Sequence, residues 1–233
     1  MYLSRLILDP QHRGVRRELG DVVALHKTIM SAFPDVAGPQ ARAALSVLWR
    51  LELGPRSAAP CLLVQSAVAP DWSRLPAGYL APVDGASLKE MDAPLAAIRP
   101  GMQLRFRLAA NATRKIDTKS AADGTRRNGR RVPLRGDDAV IAWLVRHAER
   151  AGFELAADPG GTGLALIVRP LGDLAGGSAG DGLRGPRVTI RGSLLEGLLT
   201  VMDAELLRRA IAEGIGPAKA YGFGLLSVAP VGP

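Results

Sequence analysis

A chain of 233 residues, 47% hydrophobic but only 4% aromatic, is long enough for one large domain or two small ones around a core of Leu, Val, Ala and Ile. Its formal net charge of +8 points to a polyanionic partner such as nucleic acid or a membrane surface. The single cysteine, Cys61, excludes an intramolecular disulfide and argues against a cysteine-rich zinc site, and no apolar run reaches the ~18 residues of a membrane span.

In chain order, "MYLSRLILDP" carries Arg5 inside its apolar run and Asp9-Pro10 after it, a poor signal peptide and a good first strand over residues 2–8. A cytoplasmic protein is expected. Asp21 is placed to cap a helix in "VVALHKTIMSAF", where Val22, Leu25, Ile29 and Phe33 follow helical spacing and Pro34 ends the run. "ALSVLWRLEL" and "APCLLVQSAV" read as strands, and the Pro- and Gly-rich stretch 70–82 as a short helix or loop. "LAAIRPG" looks like a seam, which divides the chain into 1–97 and 98–233.

Beyond the seam, Met102, Leu104, Phe106 and Leu108 alternate with Gln103, Arg105 and Arg107, the pattern of a strand with one face on a core and Arg105 and Arg107 on the wet face. "SAADGTRRNGRRVPLRGDD" reads as an arginine-rich loop or hairpin with turn signals at Asp123-Gly124 and Asn128-Gly129. Asp137 or Asp138 is expected to cap the helix "AVIAWLVRHAERAG". "LALIVRP" is a strand, "LAGGSAGDGLRGP" a glycine-dense loop, and "RVTIRGSLLEGLLTV" a further strand. Asp203 caps "AELLRRAIAE", Gly214 ends it, and "GLLSVAP" is the last strand. The second half thus reads strand–helix–strand–strand–helix–strand, and the first half fits the same order less clearly. The fold class expected is α+β, two tandem ferredoxin-like (RRM-like) βαββαβ units.

The charge is concentrated. Residues 98–136 hold eleven basic and two acidic residues, a net of +9, while the remaining 19 basic and 20 acidic residues net −1. Such localisation suits a phosphate-docking surface better than a uniformly solubilising one, with a solvated basic loop as the plain alternative. Arg105, Arg107, Arg114, Lys115, Arg126, Arg127, Arg130 and Arg131 are the candidate RNA contacts in this segment. The second candidate is "GIGPAKAYGFGLL", whose Gly216, Gly222 and Gly224 allow close backbone approach to a ligand and whose Lys219 supplies one point charge. It fits neither a Walker A loop nor a dinucleotide fingerprint, because a strand rather than a helix follows. A tight helix–strand connection explains the same glycines without a ligand.

"MYLSRLIL", "LHKTIMSAFP", "LLVQSA", "FRLAANATRK", "RRVPL" and "LEGLLTVMDAELLRRAIAEGIGPAKAYGFGLLSVAP" together resemble the CasE (Cse-type) endoribonucleases of type I-E CRISPR systems, from end to end of the chain. The resemblance implies tandem ferredoxin-like domains and cleavage of precursor CRISPR RNA at the base of each repeat hairpin. It also implies retention of the mature guide RNA with the other subunits of Cascade, the antiviral surveillance complex. In that family the catalytic histidine lies in a Tyr-x-x-His pattern in the first helix. His26 matches the histidine, but Val23 stands where the tyrosine would be. Tyr2 and Tyr221 are substitutes by residue type alone.

The residues themselves make His26 a reasonable candidate. Cleavage by 2′-OH attack requires a proton taken from that hydroxyl, a proton given to the 5′-oxygen, and charge neutralised on the phosphorane. Histidine serves either proton step near neutral pH, and Lys or Arg serves the charge. No metal or cofactor is expected. His12 and His147 read as solvated. His26 falls on the apolar side of its helix, so helical geometry alone leaves a satisfied, partly buried histidine and a catalytic one both open. Lys27 lies on the exposed side, where it can meet phosphate or only water. A non-catalytic RNA-binding subunit of a ribonucleoprotein is the alternative function.

Overall fold

The computed structural model describes residues 1–36, 41–52, 59–116, 130–158, 160–161, 163–177 and 188–232. The first unit is a four-stranded antiparallel sheet. β1 (Tyr2–Ile7) pairs on one side with β3 (Cys61–Ser66) and on the other with β4 (Ala86–Glu90), while β2 (Leu48–Glu52) closes the far edge, giving the order β2-β3-β1-β4. That order is the signature of a ferredoxin-like unit. Its helices are unequal. α1 (Arg13–Glu18) and α2 (Val22–Met30) precede β2, followed by a short helix, α3 (Ala41–Ala44).

Asp21 caps α2 as expected, its Oδ1 accepting from the Val23 and Ala24 N–H groups at 3.0 and 3.1 Å. Val22, Leu25 and Ile29 of α2 pack into a core with Leu6, Leu8, Phe33, Trp49, Leu62 and Val64. Between β3 and β4, where a second long helix would stand, there is only a 3-10 turn at Trp72–Arg74. Pro70, Pro76 and Pro82 deny that stretch the N–H groups and the backbone freedom a longer helix needs.

The second unit repeats the plan. β5 (Gln103–Ala110) is followed by a two-stranded insertion, β6 (Thr113–Ile116) with β7 (Arg130–Pro133), and by α5 (Asp137–Arg150). Then come β8 (Phe153–Leu155), β9 (Leu166–Gly176), β10 (Val188–Val201), α6 (Ala204–Glu213) and β11 (Leu226–Pro230). The sheet order is β11-β5-β10-β8, with β9 also paired to β10. β10 is long enough to serve both halves of a divided second strand: Leu199–Val201 pair with β8, and the rest with β9. Leu104, Phe106, Leu108, Leu195 and Leu199 of the sheet pack against Val140, Trp143 and Leu144 of α5 and Leu207 and Ile211 of α6. Two such units in tandem are the fold the sequence led us to expect.

Three local differences have physical causes. α5 begins at Gly136 (φ +82°), not on an aspartate cap; Asp137 and Asp138 instead occupy the first turn, where the helix dipole favours acids. α6 does have its expected cap, Asp203, bonded to the Glu205 and Leu206 N–H groups at 2.8 and 3.0 Å. β9 does not stop at Pro170 but runs on to Gly176 through the start of the glycine-dense segment, residues 178–187 of which lie outside the described residues. Pro170 is tolerated because it sits opposite Ser193, where the register with β10 shifts, on a strand with no second neighbour.

The units are bolted together. Arg50 of β2, only 3% exposed, donates from Nη1 to the carbonyls of Arg107 (3.1 Å) and Leu225 (3.0 Å) and from Nη2 to Ser227 Oγ (3.1 Å). Gln65 of β3 donates to the Ile211 carbonyl at the end of α6, at 2.7 Å. Leu95 and Ile98, in the seam, sink into the second core, with α4 (Asp92–Ala96) as their short carrier. No helix among the described residues is long and apolar enough to cross a membrane.

Candidate active site

His26 lies on α2, which packs against the second unit. The helix touches both β9 and a 3-10 turn at Lys219–Tyr221 inside the glycine-rich segment. The imidazole is half-buried, neither in the core nor free in solvent. Its Nδ1 is buried without a hydrogen-bond partner among the described residues. Burial, reinforced by the Arg42 guanidinium, lowers its pKa from 6.5 to about 4. The ring is therefore neutral near pH 7 and able to accept a proton.

Val23, one turn earlier, packs against β9: a Cβ added to Gly176 would lie 2.9 Å from Val23 Cγ2 and 3.0 Å from Asp21 Oδ1. The contact between helix and strand occupies the place where the family pattern has a phenol. Of the two substitutes, Tyr2 pairs with Ser66 and Glu90 inside the first sheet. Tyr221 ends the 3-10 turn that meets α2 and packs against the first core. Tyr221 is thus the phenol on the site's side of the molecule.

The glycine-rich segment is shaped first by its own packing. Gly216 and Gly222 have φ of +84° and +85°, and a Cβ on them would come within 2.9 Å of the Trp143 ring and 2.8 Å of the Trp49 ring. Side chains there would meet both strain and a fixed indole. Gly224 donates its N–H to the Ala109 carbonyl (2.8 Å), and the Ile215 N–H bonds to the Gly224 carbonyl (2.9 Å), which closes the loop on itself. The turn carries Lys219 half-buried. Burial first, then the nearby Arg42, lower its pKa, with Glu213 acting in the opposite sense. Arg42 itself stands on α3, one arm of its guanidinium donating to the Val47 carbonyl at 3.0 Å. Arg42 thus acts on both His26 and Lys219, and α2 and β2 both touch the 3-10 turn that carries Lys219.

The remaining candidates fall into groups. Lys27 is exposed beside His26 on α2. Arg114, Lys115 and Arg131 are exposed on the β6–β7 hairpin, where Lys115 and Arg131 stand directly opposite each other. Like charges across a strand pair repel, so this face gains from a bound anion. Arg130 is in β7, while Arg126 and Arg127, with the Asp-Gly and Asn-Gly turn signals, lie outside the described residues. Arg105 is exposed, but Arg107 is engaged: it bonds Glu52 Oε2 through Nη1 and Glu196 Oε1 through Nε, both at 2.7 Å. Its charge is largely taken up at the joint between the units.

His12 and His147, read from sequence as solvated, have structural work. His12 caps α1 by accepting from the Val15 N–H (3.4 Å) and meets Tyr79 edge-on. His147 stacks on Trp143 with centroids 3.9 Å apart, its Nδ1 2.8 Å from the Trp143 carbonyl. Sequence reasoning missed Arg42 and Arg50. No motif marks either one: Arg42 is held locally by the Val47 carbonyl, and the bonds of Arg50 to Arg107, Leu225 and Ser227 form only when the units fold together.

A sequence profile of the CRISPR associated protein family matches residues 1–230. The chain belongs to this family. It is similar to the CRISPR-associated endoribonuclease Cse3 of Thermus thermophilus, at 33% identity over 230 residues, spanning 99% of this chain and 100% of that protein. It is also similar to the Cascade subunit CasE of Escherichia coli, at 30% identity over 233 residues with the same coverage. Among solved structures, the CRISPR endoribonuclease Cse3 bound to a 19-nucleotide RNA superposes with a TM-score of 0.76 at 34% identity, covering 99% of this chain and 100% of that one. These matches span nearly the whole chain, so they cover both units.

Proposed function

We propose that this CRISPR-associated protein is a metal-independent endoribonuclease. It binds the hairpin of a precursor CRISPR RNA repeat, cuts at its base, and stays with the mature guide RNA among the other subunits of Cascade in the cytoplasm. The observation that carries the reading is a neutral, half-buried His26 with an unpartnered Nδ1, under the Arg42 charge and on a helix that touches both β9 and the glycine-rich turn. In the reaction, the 2′-oxygen attacks the adjacent phosphorus while its proton passes to His26. The bond from phosphorus to the 5′-oxygen breaks, and that oxygen takes a proton from solvent. The products are a 2′,3′-cyclic phosphate and a 5′-hydroxyl, and His26 then returns its proton to water. Lys27, Lys219 and the hairpin cations hold backbone phosphates, and Gly216, Gly222 and Gly224 let the loop carry Lys219 to the strand. The lobes of this reading are 1–97 and 98–233, with the α4 segment overlapping the seam.

The competing reading, an RNA-binding subunit without chemistry, draws on Val23 in place of the phenol. One experiment separates them. The purified protein is expected to cut its repeat RNA in EDTA, and a 2′-deoxy nucleotide at the scissile position to block cutting while leaving binding intact. Binding without cleavage of the all-ribose RNA refutes the nuclease reading.

A further inference from the structure

We propose that Arg42 is a catalytic residue of this cleavage reaction: its guanidinium holds a non-bridging oxygen of the scissile phosphate as negative charge builds there. The inference rests on the nuclease reading above and adds to it a residue that no motif marks.

The argument begins with charge balance. Arg50 and Arg107, buried or half-buried at the joint between the units, are each met by a carboxylate within 2.7 Å. Arg42 and Lys219 are half-buried too, yet neither has a carboxylate within salt-bridge distance among the described residues. The Arg42 charge bears on Lys219, where Glu213 opposes it, and on His26, whose buried Nδ1 lacks a partner among the described residues. A half-buried guanidinium with no carboxylate partner costs stability, and a bound anion offsets that cost. The site therefore suits a phosphodiester whose ribose hydroxyl faces His26.

Arg42 is also pre-set for the role. The bond from Nη1 to the Val47 carbonyl fixes one arm, leaving the rest of a planar fork that matches two phosphate oxygens. Arg42 forms and breaks no covalent bond. It binds more tightly as the phosphorane gathers charge, which is how a fixed donor lowers a barrier.

The test is single-turnover cleavage of the repeat hairpin by wild type, R42Q and R42K, with affinity measured on the 2′-deoxy RNA and thermal unfolding on each protein. R42Q is expected to cut roughly 10²–10³-fold more slowly, the usual cost of one lost transition-state donor, with affinity nearly unchanged. R42K is expected to recover part of the rate, and added guanidinium ion part of the R42Q loss. The His26 titration, followed by NMR in the free protein, should move up in R42Q and stay in R42K, since only the first removes a neighbouring charge. R42Q cutting at the wild-type rate overturns the assignment and leaves the nuclease reading standing. So does a rate lost only in step with the fold, with R42K no better. A wild type that binds and never cuts overturns both.

Discussion

Replacing His26 with alanine should change how the fold responds to acid, independently of any effect on RNA. In the folded chain its pKa is lowered from 6.5 to about 4, first by burial and then by the Arg42 charge. At pH 7 the ring is neutral in the folded chain and mostly neutral in the unfolded one, so its contribution there is small. As pH falls below the unfolded value, the unfolded chain takes up a proton that the folded chain refuses, so stability is lost until the folded pKa is passed. The full loss is about 3 kcal/mol, and between pH 7 and pH 5 it is about 2 kcal/mol. For a chain of this size that corresponds to a fall of about 4–8 °C in Tm attributable to one ring. Melting curves of wild type and His26→Ala, taken without RNA at several pH values, measure it. The variant's constant offset cancels, because only the change with pH is compared, and other titrating groups contribute equally to both. The variant should lose about 2 kcal/mol less than wild type on going to pH 5. Parallel curves would show that the imidazole is not desolvated, and the argument for a neutral base held between the units would fail with it.

His26→Ala should also slow single-turnover cleavage by roughly 10²–10⁴-fold while binding the 2′-deoxy RNA like wild type. Substituting Arg126, Arg127, Arg130 and Arg131 together should weaken binding and lower the slope of log affinity against log salt by roughly 1 for each phosphate contact removed; an unchanged slope means the hairpin does not touch the backbone. Arg50→Ala leaves Glu52 with Arg107 alone and takes a donor from the Arg107 and Leu225 carbonyls, and should cost about 3–5 kcal/mol by denaturant titration. Gly222→Ala must place a Cβ at φ +85° and 2.8 Å from Trp49, and should cost about 2 kcal/mol or more with no change in the RNA contacts that remain.

What the sequence made legible was what is local. The alternation in β5, the Asp21 and Asp203 caps and the glycines after α6 each follow from neighbours a few residues away, and each stands where its pattern put it. β4 escaped because all five of its residues are exposed, so "ASLKE" shows no alternation. β8 escaped because three residues carry no period. Arg107 shows the deeper limit. Its wet-face position was readable, but Glu52, which neutralises it, comes from the other unit 55 residues away. Likewise the glycines at 216 and 222 suggest ligand approach, whereas their immediate neighbours are Trp143 and Trp49.

These details sort the cations of the chain into two populations that composition cannot separate. Arg50 and Arg107 are satisfied by Glu52 and Glu196, and Arg169 adds a longer contact to Glu196, so their charge is spent on the joint. Lys115 and Arg131 face each other across a hairpin, and Arg42 acts on both His26 and Lys219, with no salt bridge to Lys115, Arg131, Arg42 or Lys219 among the described residues. A fold keeps such repulsion only where something else repays it. The first population ties the units together, and the second is the one whose repulsion a bound polyanion would offset. On the nuclease reading proposed above, the joint that Arg50 holds also fixes how α2, which carries His26, lies against the turn that carries Lys219, so rigidity at Arg50 would bear on reactivity at His26.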